Sequence, residues 1–368
     1  MHLPWCVRKC PYCDFNSHAA AAVPEARYVD ALLADLEQAL PDIWGRRIGS
    51  VFLGGGTPSL FSPDAIDRLL AGVRRLTPLV AGAEITLEAN PGTVEAGRFA
   101  GYRAAGVTRV SLGIQSFDNR HLAALGRIHD ATEARRAAEL AARHFDTFNL
   151  DLMFALPGQT LADALADIET ALTYRPPHLS VYHLTLEPNT PFGHTPPPDL
   201  PDDDLAADMQ QAIAARLDAA GLQHYETSAW SMPGHACRHN LNYWKFGDYL
   251  GIGAGAHGKL SFHDRIVRQM RVKHPQQYLD AVAAGRPVAD ARTLAAAELP
   301  LEFMMNALRL TEGVPAALFG ARTGLPLAVC AAPLARARAR GLLLADATRI
   351  APTPLGQRFL NDLLGVFV

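Results

Sequence analysis

The chain has 368 residues, 49% of them hydrophobic and 19% charged, and a formal net charge of −3. That length suits one large domain of about 250 residues with a smaller one beside it, and the composition excludes a disordered chain and a generally basic nucleic-acid-binding surface. No uninterrupted apolar run reaches about 18 residues, and the five cysteines are an odd set with no signal peptide ahead of them, so a soluble protein of a reducing, cytoplasmic compartment is expected.

Three of the five cysteines, Cys6, Cys10 and Cys13, crowd one short stretch at the start, while Cys237 and Cys330 stand alone. Beyond them, short β-branched or apolar runs alternate with amphipathic helical patterns. The runs at Ile48–Leu53, Glu84–Ala89, Arg109–Ile114, Thr147–Phe154 and His178–Leu186 predict strands. Asp64–Leu76, Glu95–Ala105, Ala131–Arg143 and Leu161–Tyr174 predict helices, the first opened by the Ser62-Pro63 cap. This alternation reads as βαβ units around a parallel sheet, an α/β barrel or partial barrel. The proline-dense Glu187–Pro201 predicts a loop over that barrel, followed by a helix at Asp204–Ala220.

From about Pro275 the alternation stops. Helical patterns at Gln276–Ala284, Ala295–Arg309, Pro315–Thr323 and Leu327–Arg340 are followed by an apolar stretch, Leu342–Ile350, and a last helix, Pro354–Leu364. Helices with a small hairpin suggest a winged-helix-like domain, so the chain divides into residues 1–274 and 275–368. Arg336, Arg338 and Arg340 are the one local basic cluster, and their i, i+2, i+4 spacing spreads them around a solvated helix.

The opening motif carries the chemistry. C-x3-C-x2-C places three soft thiolates within reach of one iron–sulfur cluster and leaves one iron of a four-iron cube open. Zinc is the alternative, with His18 five residues beyond Cys13 as a fourth ligand. With Tyr12 before the last cysteine and βα repeats behind it, the motif resembles the signature of radical S-adenosylmethionine (SAM) proteins. That resemblance implies a partial (β/α)6 TIM-type barrel, a [4Fe–4S] cluster on Cys6, Cys10 and Cys13, and SAM bound at the open iron. It extends to the glycine turn Gly54-Gly55-Gly56-Thr57 after the first long strand, and to Glu88, Gln115, Arg127 and Asp151 at or beyond later strand ends. The SAM contacts it implies are Tyr12, Gly55, Gly56, Thr57, Glu88, Gln115, Arg127 and Asp151.

Over essentially its whole length the chain resembles the oxygen-independent coproporphyrinogen III oxidase family, and within it the haem-chaperone branch. The oxidases carry a fourth cysteine where this chain has Phe15. The segment Cys237-Arg238-His239-Asn240-Leu241-Asn242-Tyr243-Trp244 resembles the chaperones' haem-binding H-N-x-x-Y-W signature, which implies His239 as the ligand of the haem iron and Tyr243 and Trp244 as pocket walls. Cys237 is read as a buried small residue, and His257, in a flexible glycine-rich segment that closes the barrel near the ligand, as a second haem candidate. The branch implies haem and a haem-accepting protein as partners, with the membrane surface and a homodimer as its possible settings. The enzyme alternative is radical decarboxylation of coproporphyrinogen. A zinc-bearing DNA-binding protein is the third reading. In the family the first strand begins about six residues before His2, with a tyrosine whose place falls ahead of Met1, so an incomplete first strand is expected.

Overall fold

Apolar side chains at every second position of the predicted strands face helices on one side, and their polar alternates face inward. The computed structural model describes residues 1–93 and 96–368. Six parallel strands lie side by side in chain order: β1 (His2–Leu3), β2 (Ile48–Gly55), β3 (Leu79–Ala89), β4 (Arg109–Gln115), β5 (Thr147–Phe154) and β6 (His178–His183). Two antiparallel strands, β7 (Gln223–Glu226) and β8 (Ala229–Ser231), extend the sheet beyond β6 in the order β6-β8-β7. This is the expected partial barrel.

Helices cover its outside. Ser62 caps Pro63–Leu76 by accepting from the Ala65 N–H at 3.2 Å, and Asp130 and Thr160 form reciprocal capping boxes at the starts of Ala131–His144 and Leu161–Thr173. The helix expected at Glu95–Ala105 is described from Ala96, and Glu95 lies outside the described residues. Leu53, Leu87, Val110, Leu112 and Leu150 are fully buried beneath these helices. Each such side chain contributes about 1.5–3 kcal/mol of burial.

The first strand is two residues long, His2↔Gly54 and Leu3↔Gly55. Its other edge meets the glycine-rich segment, where the His2 N–H donates to Ile252 O at 2.9 Å and the Tyr28 hydroxyl bridges His2 O and Ala254 N–H, each at 2.8 Å. Residues 251–256 are buried and hydrogen-bonded to the barrel, so this segment is a packed closure and not the flexible one expected. A three-stranded antiparallel sheet follows that the periodicity did not reveal: β9 (His257–Ser261), β10 (Ile266–Arg271) and β11 (Val288–Thr293). Its strands are short and rich in charged residues, so they carry little apolar alternation. His257 is exposed at its start.

The sheet is tied to the barrel by a buried ion pair. Arg271 Nε lies 3.0 Å from Asp35 Oδ1, while Asp35 Oδ2 accepts from Tyr278 Oη at 2.8 Å and Gly253 N–H at 3.2 Å. Tyr278, Leu279 and Val282 of the helix Pro275–Ala283 pack into the barrel core. A second core is built from Leu299–Ala307, Ala317–Thr323, Ala331–Ala339 and the chain end, with a small bridge between Val314–Pro315 and Arg349–Ile350. The expected last helix breaks into two short ones at Phe359, and the helix expected from Ala295 begins at Leu299. Among the described residues no single helix is long and apolar enough to cross a membrane.

Candidate functional site

The cysteine loop folds back over the carboxyl ends of the strands. Trp5–Cys6 pairs in parallel with His18–Ala19, closing the loop, and the Cys13 N–H donates to Cys10 O at 3.2 Å in the turn between them. Beneath it lies a cavity of about 310 Å³. All three cysteines and all eight expected SAM contacts line it: Cys6, Cys10, Cys13, Tyr12, Gly55, Gly56, Thr57, Glu88, Gln115, Arg127 and Asp151. Strand ends are where a barrel of this kind collects its functional groups.

Each group is held by local chemistry. A Cβ on Gly55 would lie 1.7 Å from the His2 ring, and its φ of +112° is one that only glycine adopts without strain. A Cβ on Gly56 would lie 2.5 Å from Trp5 O. The glycine run is therefore required by the first strand's approach as much as by any ligand. Gln115, at φ +67°, is a non-glycine residue in the left-handed region, which turns the chain at the end of β4. Arg127 donates to Gly113 O at 2.7 Å, Tyr12 Oη at 3.4 Å and Cys10 Sγ at 3.5 Å. Thr57 donates its hydroxyl to Cys6 Sγ at 3.3 Å. Glu88 accepts from the Gly55 N–H at 3.1 Å. Burial, reinforced by the Asp151 carboxylate, pushes Glu88 up to about 7. Burial also raises Asp151, against the hydrogen bonds it receives from Ser111 at 2.9 Å and Asn149 at 2.8 Å.

The donor set bears on the choice between cluster and zinc. Cys6, Cys10 and Cys13 are free thiols, raised by burial at Cys6 and Cys13. Ligand atoms on one tetrahedral zinc lie about 4 Å apart, given Zn–S bonds of about 2.3 Å. No three ligand atoms drawn from these cysteines and His18 lie within 4.8 Å of one another among the described residues. His18 instead sits 3.3 Å from Asn16 Oδ1, outside the cavity lining. As the side chains stand, they offer one zinc no compact tetrahedral seat, whereas three thiolates at the edge of one cavity suit the wider spacing of an iron–sulfur cluster. The one compact His/Asp group among the described residues, Asp118, His121 and Asp163, has the Arg120 guanidinium against both of its carboxylates.

The residues of the H-N-x-x-Y-W segment lie at the other end of the barrel. They form the helix Arg238–Trp244, whose first turn is held by Glu84: Oε2 accepts from the Arg238 N–H at 3.0 Å and Oε1 from the His239 N–H at 3.1 Å. The His239 imidazole stacks on Phe52 at 4.6 Å and meets Tyr243 edge-on at 4.7 Å. Burial lowers it to about 3, so the ring is neutral, and its Nε2 has no hydrogen-bond partner among the described residues. His239 also borders a second cavity of about 310 Å³ with Phe52, Arg47 and Tyr249. Trp244 points elsewhere: it packs on the second core beneath Arg309, whose guanidinium carbon lies 4.4 Å from the ring. Cys237 is buried, as expected.

Several residues of these sites belong to no local motif. Ser111, Met153 and Tyr182 line the upper cavity, and Glu84, Asn149, His178 and Tyr225 fill the space below it. The signal was available, because Ser111-x-Gly113-x-Gln115 and Asn149-x-Asp151-x-Met153 share one strand face with the residues that were singled out.

Comparison with known proteins agrees with this geometry. Residues 1–171 match the radical SAM superfamily, and residues 294–359 match the HemN C-terminal domain. The structure resembles that of the radical SAM enzyme coproporphyrinogen III oxidase (HemN) from Escherichia coli, with a TM-score of 0.84 at 22% identity over 100% of this chain and 88% of that one, a likeness of fold. The chain is a radical SAM protein. Its sequence is 51% identical to the heme chaperone HemW of Escherichia coli K12, over 100% of this chain and 97% of that protein, and 33% identical to HemW of Bacillus subtilis 168, over 100% and 98%. It belongs to the HemW family.

Proposed function

We propose that this protein is a haem chaperone: it carries a [4Fe–4S] cluster on Cys6, Cys10 and Cys13, takes SAM into the adjoining cavity, binds haem through His239 and hands it to an acceptor protein. The observation that carries the cluster and SAM part is the single cavity that three free thiols share with Arg127, Glu88 and Asp151. When bound, the cluster supplies one electron to SAM. The chain's own groups hold the components: Arg127 and Thr57 donate to cysteine sulfurs, and Glu88 and Asp151 offer acceptors for ammonium and hydroxyl groups. Phe15, largely exposed at the cavity's edge, offers no fourth thiolate.

The haem part rests on full-length likeness to the chaperones and on a neutral imidazole among flat aromatic faces. We place the functional division of the chain near residue 294, because the helix Pro275–Ala283 packs into the barrel core. Anaerobic reconstitution with iron and sulfide, followed by haem titration of wild type and His239→Ala, tests the reading. Wild type is expected to bind haem with a spectrum that the variant loses while its cluster content is unchanged. Formation of protoporphyrinogen from coproporphyrinogen and SAM by the same sample would replace the chaperone reading with the oxidase one.

A further inference from the structure

A hydrogen-bonded chain runs through the barrel interior from Asp151 in the upper cavity to the Cys237 N–H, next to the helix that borders the second cavity. At its upper end the Asp151 carboxylate accepts only, so Ser111 Oγ (2.9 Å) and Asn149 Nδ2 (2.8 Å) both donate to it. Asn149 Nδ2 also donates to Ser111 Oγ at 2.8 Å. That fixes the amide, and its Oδ1 faces His178 Nδ1 at 2.6 Å and receives Ser180 Oγ at 3.1 Å. His178 must then donate from Nδ1 and, being neutral, accept at Nε2. Full burial and the nearby Arg109 guanidinium hold it neutral. The donor to Nε2 is the Tyr225 hydroxyl at 2.8 Å, and the Tyr225 oxygen in turn accepts the Cys237 N–H at 3.3 Å. Cys237 immediately precedes the helix that carries His239.

The chain is one-way. All donors point from the His239 helix toward Asp151, and Asn149 and His178 are buried. In so enclosed a setting each bond polarises the next. The first turn of the helix is thus held by Glu84 of β3, and Cys237, the residue before it, by Tyr225 of this chain through its N–H and by Glu84 through its thiol.

We infer that Asn149, His178 and Tyr225 are positioning residues that couple the two sites, so that a ligand donating to Asp151 in the upper cavity loosens the hold on the Cys237 N–H and lowers the affinity of the His239 face for haem. The inference rests on the functional reading above. It adds a reason for a carrier to hold SAM at all: filling one end favours release at the other. Linkage requires the reciprocal effect, with haem weakening SAM by the same factor.

The test is haem affinity of the cluster-reconstituted full chain, read by visible absorption with and without SAM. Wild type is expected to bind haem about 5-fold or more weakly when SAM is present, within the usual range of such couplings. In Tyr225→Phe that ratio is expected to fall below about 2-fold, because both the Cys237 acceptor and the His178 donor are gone, whatever the change in absolute affinity. If Tyr225→Phe does not fold, His178→Leu should also abolish the ratio, while His178→Gln, whose amide can both donate and accept, should restore it. A wild-type ratio near one, or a ratio that survives in Tyr225→Phe and His178→Leu, overturns the coupling. Haem binding indifferent to His239→Ala would instead overturn the site assignment, an outcome the Tyr225 and His178 series cannot mimic.

Discussion

Glu88 is held in the barrel at a cost that can be measured. Its carboxyl is raised from the ordinary glutamate value of 4.5 to about 7, first by burial and then by the Asp151 charge. Below pH 4.5 the folded and unfolded chains both hold the proton. Between 4.5 and 7 the unfolded chain has released it and the folded one has not, so stability falls as pH rises through this window and levels off above it. At about 1.4 kcal/mol for each tenfold change in proton affinity, the gap corresponds to about 3.4 kcal/mol. Because the side chain keeps some contact with the solvent in the cavity, about 2–3 kcal/mol is the expected penalty at pH 8. Glu88→Gln keeps an acceptor for the Gly55 N–H and removes the charge. The apo-variant should therefore be more stable than wild type by about 2–3 kcal/mol at pH 8 and nearly equal to it at pH 4.5, while losing SAM affinity in the reconstituted protein. Urea unfolding at the two pH values measures the first effect. A stability difference that does not change with pH, or a variant less stable at pH 8, would refute the electrostatic reasoning.

Other predictions concern the frame around the site. Gly55→Ala forces a Cβ into the His2 ring and a side chain into the left-handed region, and it should lower stability by more than about 2 kcal/mol in urea melts while detaching β1 from β2. Asp35→Ala strips Arg271 of its buried partner and should cost about 3–5 kcal/mol, whereas the double change with Arg271→Met should recover a large part of that loss. Equal destabilisation of the single and double variants would show that the pair is not what ties β10 to the barrel.

The upper site could be read from residues alone because its signals are short-range. Three cysteines in one loop, a glycine turn and polar residues at strand ends all report through local spacing, and barrel topology brings strand ends together whatever lies between them. The lower site could not be read that way. His239 meets Phe52 and Ser50, nearly two hundred residues earlier, and Glu84 holds its helix from the start of a strand's buried half. Likewise Asn149, His178 and Tyr225 look like ordinary strand polars until register places Asn149 opposite His178. The three-stranded sheet escaped because Arg268, Arg271, Asp290 and Arg292 interrupt the apolar alternation that marks a strand. The family resemblance led to His239, and it also grouped Trp244 with that residue, which the fold separates.

That separation gives the helix Arg238–Trp244 two different faces. His239 and Tyr243, one turn apart, meet the barrel's Phe52 and the ring of Tyr249, while Leu241 and Trp244, three apart, pack on the second core. Arg309 covers the Trp244 ring and also pairs with Glu226 at 3.4 Å, so strand β7, this helix and the second core meet at one guanidinium. The indole Nε1 has no hydrogen-bond partner among the described residues, so Trp244 acts through its apolar area and its contact with the cation. Truncating a half-buried tryptophan in such a seat should cost about 2–3 kcal/mol, somewhat less than a fully buried one. Trp244→Ala should therefore destabilise the second core in urea and expose Leu241, yet leave the haem absorption maximum where wild type has it, because the ring does not face His239. A shifted maximum without loss of stability would place Trp244 on the haem after all and contradict the division of the helix into a barrel face and a docking face.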